Sequence, residues 1–322
     1  MKRLVSVVTP VFNEATVIKQ FLDTQLIPTL ESMLGDINFE IVLVDDGSTD
    51  GSSKIIKEYC AKSTSKIPIK CVSFTRNFGK ELALMAGIQY SDGDAIIMID
   101  ADGQHPVDAI PAMILRWKNG AKIVTALRKQ STTTHRFGSM MFYKVMRTLG
   151  NTSIVVGATD FRLIDREVAD EYLRFTEHKR ITRGLIDWLG YPQEYINVKL
   201  NKRLSGKASY NFKKLFALAG NSFISMSKTP LLFFGYLGMS ITFFSLVLGL
   251  FILIQQYIMG DPLHLGWSGA AAMSVFISFL VGLVLTSQAM TALYISHIHI
   301  EGQNRPLFVV SKEKSVGITK KK

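Results

Sequence analysis

Two long stretches without a charged side chain constrain this sequence more than any other feature. No Asp, Glu, Lys or Arg occurs from Thr229 to Gly260, and none from Pro262 to Ile300. Crossing the hydrocarbon core of a bilayer takes roughly 20 predominantly apolar residues. Uncharged stretches longer than that exclude a simple soluble protein and predict two membrane spans, at about 231–256 and 268–296. Most of the chain's 37 Lys+Arg and 26 Asp+Glu residues precede them. The expectation is a membrane protein with a large polar head.

The N-terminus, Met1-Lys2-Arg3-Leu4-Val5-Ser6-Val7-Val8-Thr9-Pro10, begins like a signal peptide but meets Pro10, Asn13 and Glu14 after a short apolar run. It reads as a first strand and not as a targeting segment. The only cysteines, Cys60 and Cys71, form no CxxC and no metal-ligand spacing, which argues against a zinc module or a disulfide scaffold.

In the head, apolar β-branched runs alternate with helical patterns. The runs are Leu4–Val8, Phe39–Val44, Ile69–Phe74, Ala95–Ile99 and Lys122–Ala126; the helical segments include Ser52–Lys62, Lys80–Tyr90 and Asp108–Asn119. Continuous apolar strands separated by helices imply an α/β fold with a mostly parallel sheet covered on both faces. Ligands of such sheets bind beyond the carboxyl ends of the strands. Two acidic clusters fall there, Asp45-Asp46-Gly47-Ser48 after the second run and Asp100-Ala101-Asp102-Gly103-Gln104 after the fourth.

Asp100-x-Asp102 just past a buried strand supplies hard oxygen ligands suited to Mg²⁺ or Mn²⁺, ions that take remaining ligands from water and substrate phosphates. A solvated surface turn is the bland alternative, disfavoured by the parallel position of the other cluster. Asp45 and Asp46 read either as turn formers or as carboxylates that hold the base or ribose of a nucleotide. No GxxxxGK[ST] and no GxGxxG occurs, which disfavours a P-loop NTPase and a dinucleotide enzyme.

Pro10-Val11-Phe12-Asn13-Glu14, Val44-Asp45-Asp46-Gly47-Ser48, Arg76-Asn77-Phe78-Gly79-Lys80 and Asp100-Ala101-Asp102-Gly103-Gln104-His105-Pro106 follow one another in that order. Together they resemble the inverting family 2 glycosyltransferases of the GT-A fold. With Asp160-Phe161-Arg162-Leu163, Arg203-x-x-Gly206 and two C-terminal spans, the chain is similar to the polyprenyl-phosphate glycosyltransferases, the group of bactoprenol glucosyltransferases and dolichol-phosphate mannose synthases. The resemblance implies that Pro10, Asn13, Glu14, Asp45 and Asp46 hold the nucleoside of a sugar nucleotide. It implies that Asp100 and Asp102 hold the metal and that Gln104 faces the diphosphate. Arg128 and Arg136 fall where the family surrounds phosphates, and Asp160, Asp102 and Arg203 are the expected catalytic residues. The family's Gly-x-Ser-Lys-Tyr is Gly206-Lys207-Ala208-Ser209-Tyr210 here, with Ser209 at the usual lysine position.

The function expected from this resemblance is inverting transfer of a single hexose, glucose from UDP-glucose, to undecaprenyl phosphate, supplying cell-envelope polysaccharide modification. Asp160-Phe161-Arg162-Leu163 favours the bacterial branch over a GDP-mannose-using one. Alternatives are a mannose or aminosugar transferase, a processive polysaccharide synthase, and a non-catalytic membrane partner. The synthase lacks support because Gln-x-x-Arg-Trp is here Met113-Ile114-Leu115-Arg116-Trp117. The expected organisation is a GT-A domain over 1–210, a juxtamembrane amphipathic helix over 211–229, the spans within 230–300, and a basic cytosolic tail over 301–322. Lys213, Lys214 and Lys228 precede the first span, Arg305, Lys312 and Lys314 follow the second, and Asp261 alone is charged between them. The positive-inside rule then puts the head and both termini in the cytosol, at the inner membrane. Nucleic acid is not an expected partner; a homo-oligomer is compatible with the reading.

Overall fold

The computed structural model describes residues 2–61, 66–128, 157–177, 180–201 and 269–318, with isolated positions in 240–254 and part of the side chains of 269–301. The chain divides into two units. Met1–Arg147, Thr152–Ser209 and Arg305–Lys322 form the head, and Thr148–Asn151 with Tyr210–Asn304 form the other.

The described residues of the head form a seven-stranded sheet. Its strands are β1 (Leu4–Val11), β2 (Asn38–Asp45), β3 (Ile69–Ser73), β4 (Ala95–Met98), β5 (Ile123–Arg128), β6 (Ala158–Asp165) and β7 (Gln193–Val198), in the spatial order β3-β2-β1-β4-β6-β5-β7. β3, β2, β1 and β4 are parallel, β6 runs antiparallel to both β4 and β5, and β7 is parallel to β5. The parallel strands are apolar throughout because both sheet faces are covered: Val5, Val7 and Val8 of β1 and Ile41 through Val44 of β2 are fully buried. Each such side chain contributes about 1.5–3 kcal/mol relative to an exposed one.

The covering helices are α1 (Ile18–Phe21) and α2 (Ile27–Glu31), joined by a π-helical turn over Leu22–Leu26, then α3 (Ser52–Ala61), α4 (Lys80–Tyr90), α5 (Ile110–Lys118), α6 (Arg166–Leu173) and α7 (Thr182–Trp188). Helix α4 is apolar over most of its circumference and buries every residue from Leu82 to Ile88. Gly87 lets it approach the sheet, since a Cβ there would sit 2.2 Å from Val8 Cγ1. That approach fixes where the first residue of α4, Lys80, projects. The periodicity that predicted Lys80–Tyr90 is the helix observed, whereas β6 and β7 were not among the predicted strands.

The last segment of the head comes from beyond the apolar stretches. Strand β3 is the sheet's outer strand, and its free edge carries backbone groups that need partners. Residues Val309–Val316 supply them. Cys71 and Val316 exchange N–H···O bonds of 2.9 Å in both directions, Ser311 N donates to Ser73 O at 2.8 Å, and Thr75 N donates to Val309 O at 3.1 Å. Ser315 Oγ accepts from Ser73 N at 3.0 Å. Phe308 stacks on Phe74 with ring centroids 5.0 Å apart, and Phe74 meets Phe78 edge-on at 5.6 Å. Composition marked this segment only as a basic tail, yet its short run Leu307-Phe308-Val309-Val310 covers the edge of the sheet.

In the other unit, α8 (Gly269–Gly302) runs for 34 residues, and Met273, Ile277, Val284, Ile295 and Ile298 on it are exposed. Counted over the described residues, no helix is long and apolar enough to cross a membrane. The expected hairpin is therefore not found among them: the amphipathic segment at 211–229, and the span at 231–256 apart from isolated positions, lie outside the described residues.

Candidate active site

Strands β1, β2, β3 and β4 are parallel, so the segments that follow them emerge at one end of the sheet. After β1 the chain turns through Phe12 and Asn13, the latter at φ 55°. Asn13 Oδ1 accepts from Thr49 N at 2.9 Å, and Asn13 N donates to Ser48 Oγ at 3.1 Å. Glu14 N donates to Ser52 Oγ at 2.9 Å. These bonds tie the loop after β1 to the loop after β2. Pro10, half-buried, lies opposite Val44, one residue before the paired part of β1 ends with Val11 opposite Asp45.

Asp45 and Asp46 are both buried, and their oxygens are engaged within the protein. Asp45 accepts from Ser48 N at 3.0 Å and from the Ser53 hydroxyl. Asp46 accepts from Phe78 N at 2.7 Å, from Gly79 N at 2.9 Å and from Asn77 Nδ2 at 3.1 Å. Burial raises the Asp46 pKa, against the lowering effect of the two backbone N–H groups and with a further rise from Asp45. The family resemblance implied a nucleotide contact for Asp46; in the fold its carboxylate holds the loop Arg76–Lys80. Gly47 makes this possible: it has φ 70°, and a Cβ there would lie 2.4 Å from the Arg76 carbonyl carbon. Any side chain at position 47 would push the two loops apart.

The centre of the site is formed by three residues far apart in sequence. Lys80 Nζ donates to Asp100 Oδ2 at 2.8 Å and to Asp160 Oδ2 at 2.9 Å. Asp160 reaches this point because β6 is antiparallel to β4: Met98 pairs with Arg162, and continuing that register two residues sets Asp160 opposite Asp100. Asp102 Oδ1 accepts from Gln104 N at 3.0 Å, and Gln104 O accepts from Asn201 N at 2.9 Å, which closes the turn. His105 is buried, with Nε2 3.8 Å from Asp100 Oδ2 and Nδ1 without a hydrogen-bond partner among the described residues. Burial opposes ionisation of Asp100, but His105 and the Lys80 ammonium outweigh it and hold the carboxyl well below the usual carboxylate range. Burial likewise opposes the charge on Lys80, and Asp100 and Asp160 outweigh it, so its pKa is raised. The Lys80 ammonium and the Asp100 carboxylate are therefore charged together at neutral pH.

Arg128, exposed, ends β5 with its N–H bonded to Gly157 O at 2.9 Å. Arg136 and Arg203 lie outside the described residues, as do Lys207 and Ser209. Arg162 is buried and donates to Asp187 Oδ1 at 2.8 Å and to Thr159 O at 3.2 Å.

Among the described residues no group of three or more His, Cys, Asp or Glu side chains could hold a metal by itself. Two hard carboxylates on one turn, Asp100 and Asp102, suit an ion that completes its shell with phosphate oxygens and water.

Residues 6–173 match the pattern of glycosyl transferase family 2. The chain is also 35% identical to the uncharacterized glycosyltransferase YkcC of Bacillus subtilis (strain 168), across 98% of this chain and 95% of that protein. The chain belongs to glycosyl transferase family 2. It is 33% identical to a bactoprenol glucosyl transferase of Shigella phage SfV, across 96% of this chain and 99% of that protein. Among solved structures it is similar to the mannosyltransferase PcManGT from Pyrobaculum calidifontis, solved in complex with GDP-Man and Mn²⁺, with a TM-score of 0.49 and 20% identity over 94% of this chain and 84% of that one.

Within this family 2 glycosyltransferase, Lys80 is the site residue that sequence reasoning missed. Arg76-Asn77-Phe78-Gly79-Lys80 stood out as a motif, but no role was assigned to its lysine. The available signal was positional: a lysine opening a helix directly after the third parallel strand must project towards the carboxyl ends of its neighbours.

Proposed function

We propose that this family 2 glycosyltransferase transfers one glucose from UDP-glucose to undecaprenyl phosphate, with inversion at the anomeric carbon, on the cytosolic face of the membrane. The observation that carries the reading is the convergence of Asp100, Asp160 and Lys80 where the parallel strands end. Support for a polyprenyl-phosphate acceptor comes from the bactoprenol glucosyl transferase of Shigella phage SfV, which matches this chain over nearly the full length of both.

The chemistry asks for a stabilised leaving group and a positioned acceptor. A divalent ion, Mg²⁺ or Mn²⁺, held by Asp100 and Asp102 would offset the charge that develops on the departing nucleoside diphosphate. Asp160, one register step across the sheet, faces the reacting end of the donor. A lipid phosphate is already anionic near neutral pH, so it needs positioning more than deprotonation. Arg203, with Arg128 and Arg136, is assigned to the phosphates. Purified full-length protein in detergent with MnCl₂, undecaprenyl phosphate and radiolabelled sugar nucleotides provides the test. Label from UDP-glucose is expected in the lipid fraction, and its transfer is expected to stop in EDTA and in Asp102→Asn. Transfer from GDP-mannose instead would overturn the donor assignment, and full activity in EDTA would overturn the metal.

We assign the stretches at 231–256 and 268–296 to a membrane hairpin with a short outer turn. Their lack of charge and the exposed apolar side chains along α8 support this. Cys60 and Cys71 are buried, which leaves an introduced cysteine as the reactive thiol. A cysteine at Ser268 is expected to react with an impermeant maleimide in intact cells, and one at the exposed Glu313 only after lysis. The reverse pattern would overturn the orientation.

A further inference from the structure

Lys80 occupies an unusual position for a positive side chain in a site assigned above to a divalent cation. Its ammonium bridges Asp100, the first carboxylate of the expected metal pair, and Asp160, the expected catalytic carboxylate, at 2.8 and 2.9 Å. Among the described residues, these are the ion pairs that Lys80 makes, and it is Asp160's ion-pair partner. A divalent ion that takes an oxygen of Asp100 must sit within a few ångströms of that ammonium, and two cations so close repel strongly where the site is partly shielded from water. The base of the lysine is fixed. Gly79, the residue just before its helix, has its N–H bonded to Asp46, and Phe78 beside it packs on Phe74. With 41% of its side chain exposed, Lys80 can swing its ammonium to another anion without moving the backbone.

We propose that Lys80 is the resident counter-ion of the donor site: it neutralises Asp100 and Asp160 before the donor binds, and moves onto the nucleoside diphosphate when a divalent ion takes Asp100. This rests on the donor-site reading above and adds a linkage to it. Metal binds weakly to the protein alone, because it must displace Lys80 without giving it a new partner. Metal and nucleoside diphosphate together bind cooperatively, because the diphosphate supplies that partner. By reciprocity, the same coupling raises UDP affinity when metal is present. The device would also keep Asp100 and Asp160 from repelling one another before the donor arrives.

The test is Mn²⁺ binding to the full-length protein in detergent, without acceptor, followed by the paramagnetic resonance signal of free Mn²⁺ with and without UDP. Lys80→Met keeps the length of the stem and removes the charge. In the absence of UDP it is expected to bind Mn²⁺ about tenfold more tightly than the unaltered protein, a change equivalent to about 1.4 kcal/mol. Addition of UDP is expected to tighten Mn²⁺ binding much more in the unaltered protein than in Lys80→Met. Lys80→Arg, which retains the charge, is expected to follow the unaltered protein, and Lys80→Gln to follow Lys80→Met should the latter fold poorly. Equal or weaker Mn²⁺ binding by both uncharged variants without UDP would overturn the proposal while leaving the metal site intact. Absence of Mn²⁺ binding in every protein, even with UDP, would overturn both this inference and the metal-dependent donor site. Glucose transfer to lipid is scored separately, so failure of the acceptor assignment is distinguishable from either.

Discussion

Asp160→Asn is expected to lower the turnover number by about 10³-fold or more while changing UDP affinity little, as for a group engaged chiefly in the transition state. The substitution keeps the shape of the side chain and removes its charge at the point where Lys80 Nζ meets it, 2.9 Å away. Asp100 retains its own 2.8 Å contact with Lys80, so the metal-binding turn has no reason to collapse. The measurements are single-turnover transfer to undecaprenyl phosphate and calorimetry of UDP binding in the presence of Mn²⁺. Parallel loss of UDP affinity and turnover would move Asp160 from the reacting end into the donor pocket.

A second large effect is expected from Arg162→Met, here on stability. Arg162 is fully buried on β6, and its guanidinium satisfies Asp187 of α7 together with the carbonyls of Thr159 and Arg183. Removing one member of a buried pair leaves the other charge uncompensated, at a cost of about 3–5 kcal/mol. Gln193 Nε2 also donates to Asp187 at 2.8 Å, which places the expected loss near the lower end of that range. The observable is a lower urea midpoint of the head's tertiary signal, with Arg162→Met/Asp187→Leu recovering part of it. Unchanged stability with lost transfer would instead bring Arg162 into contact with substrate and displace it from the frame.

Arg162 also illustrates why β6 was not read from sequence. Ala158–Asp165 intersperses Asp160 and Arg162 among Phe161, Leu163 and Ile164, and a buried arginine looks polar to any periodicity argument. Its partner is supplied by α7, which local sequence does not announce. The parallel strands were legible because burial on both faces makes each a continuous apolar run. Asp46 and Asn13 were legible as members of strand-end motifs, but not as loop ties, because their roles depend on backbone N–H groups that arrive from other loops. The tail segment was hidden differently: four apolar residues among charges mean little until an unpaired edge such as that of β3 is available to receive them.

By itself the sequence determined the alternation of apolar strands and helices, the acidic residues at strand ends, and the uncharged stretches that favour a bilayer. These are local properties, written in runs of neighbouring residues and in the absence of charge. The tertiary structure decided which of these residues meet. The pairing of Met98 with Arg162 brings Asp160 to Asp100, Gly87 and Gly47 let α4 and the loop before it settle against the sheet, and Lys80 then lies between two carboxylates. Such meetings depend on strand order, register and close packing, which are set by the burial of the whole head and not by any one segment of it.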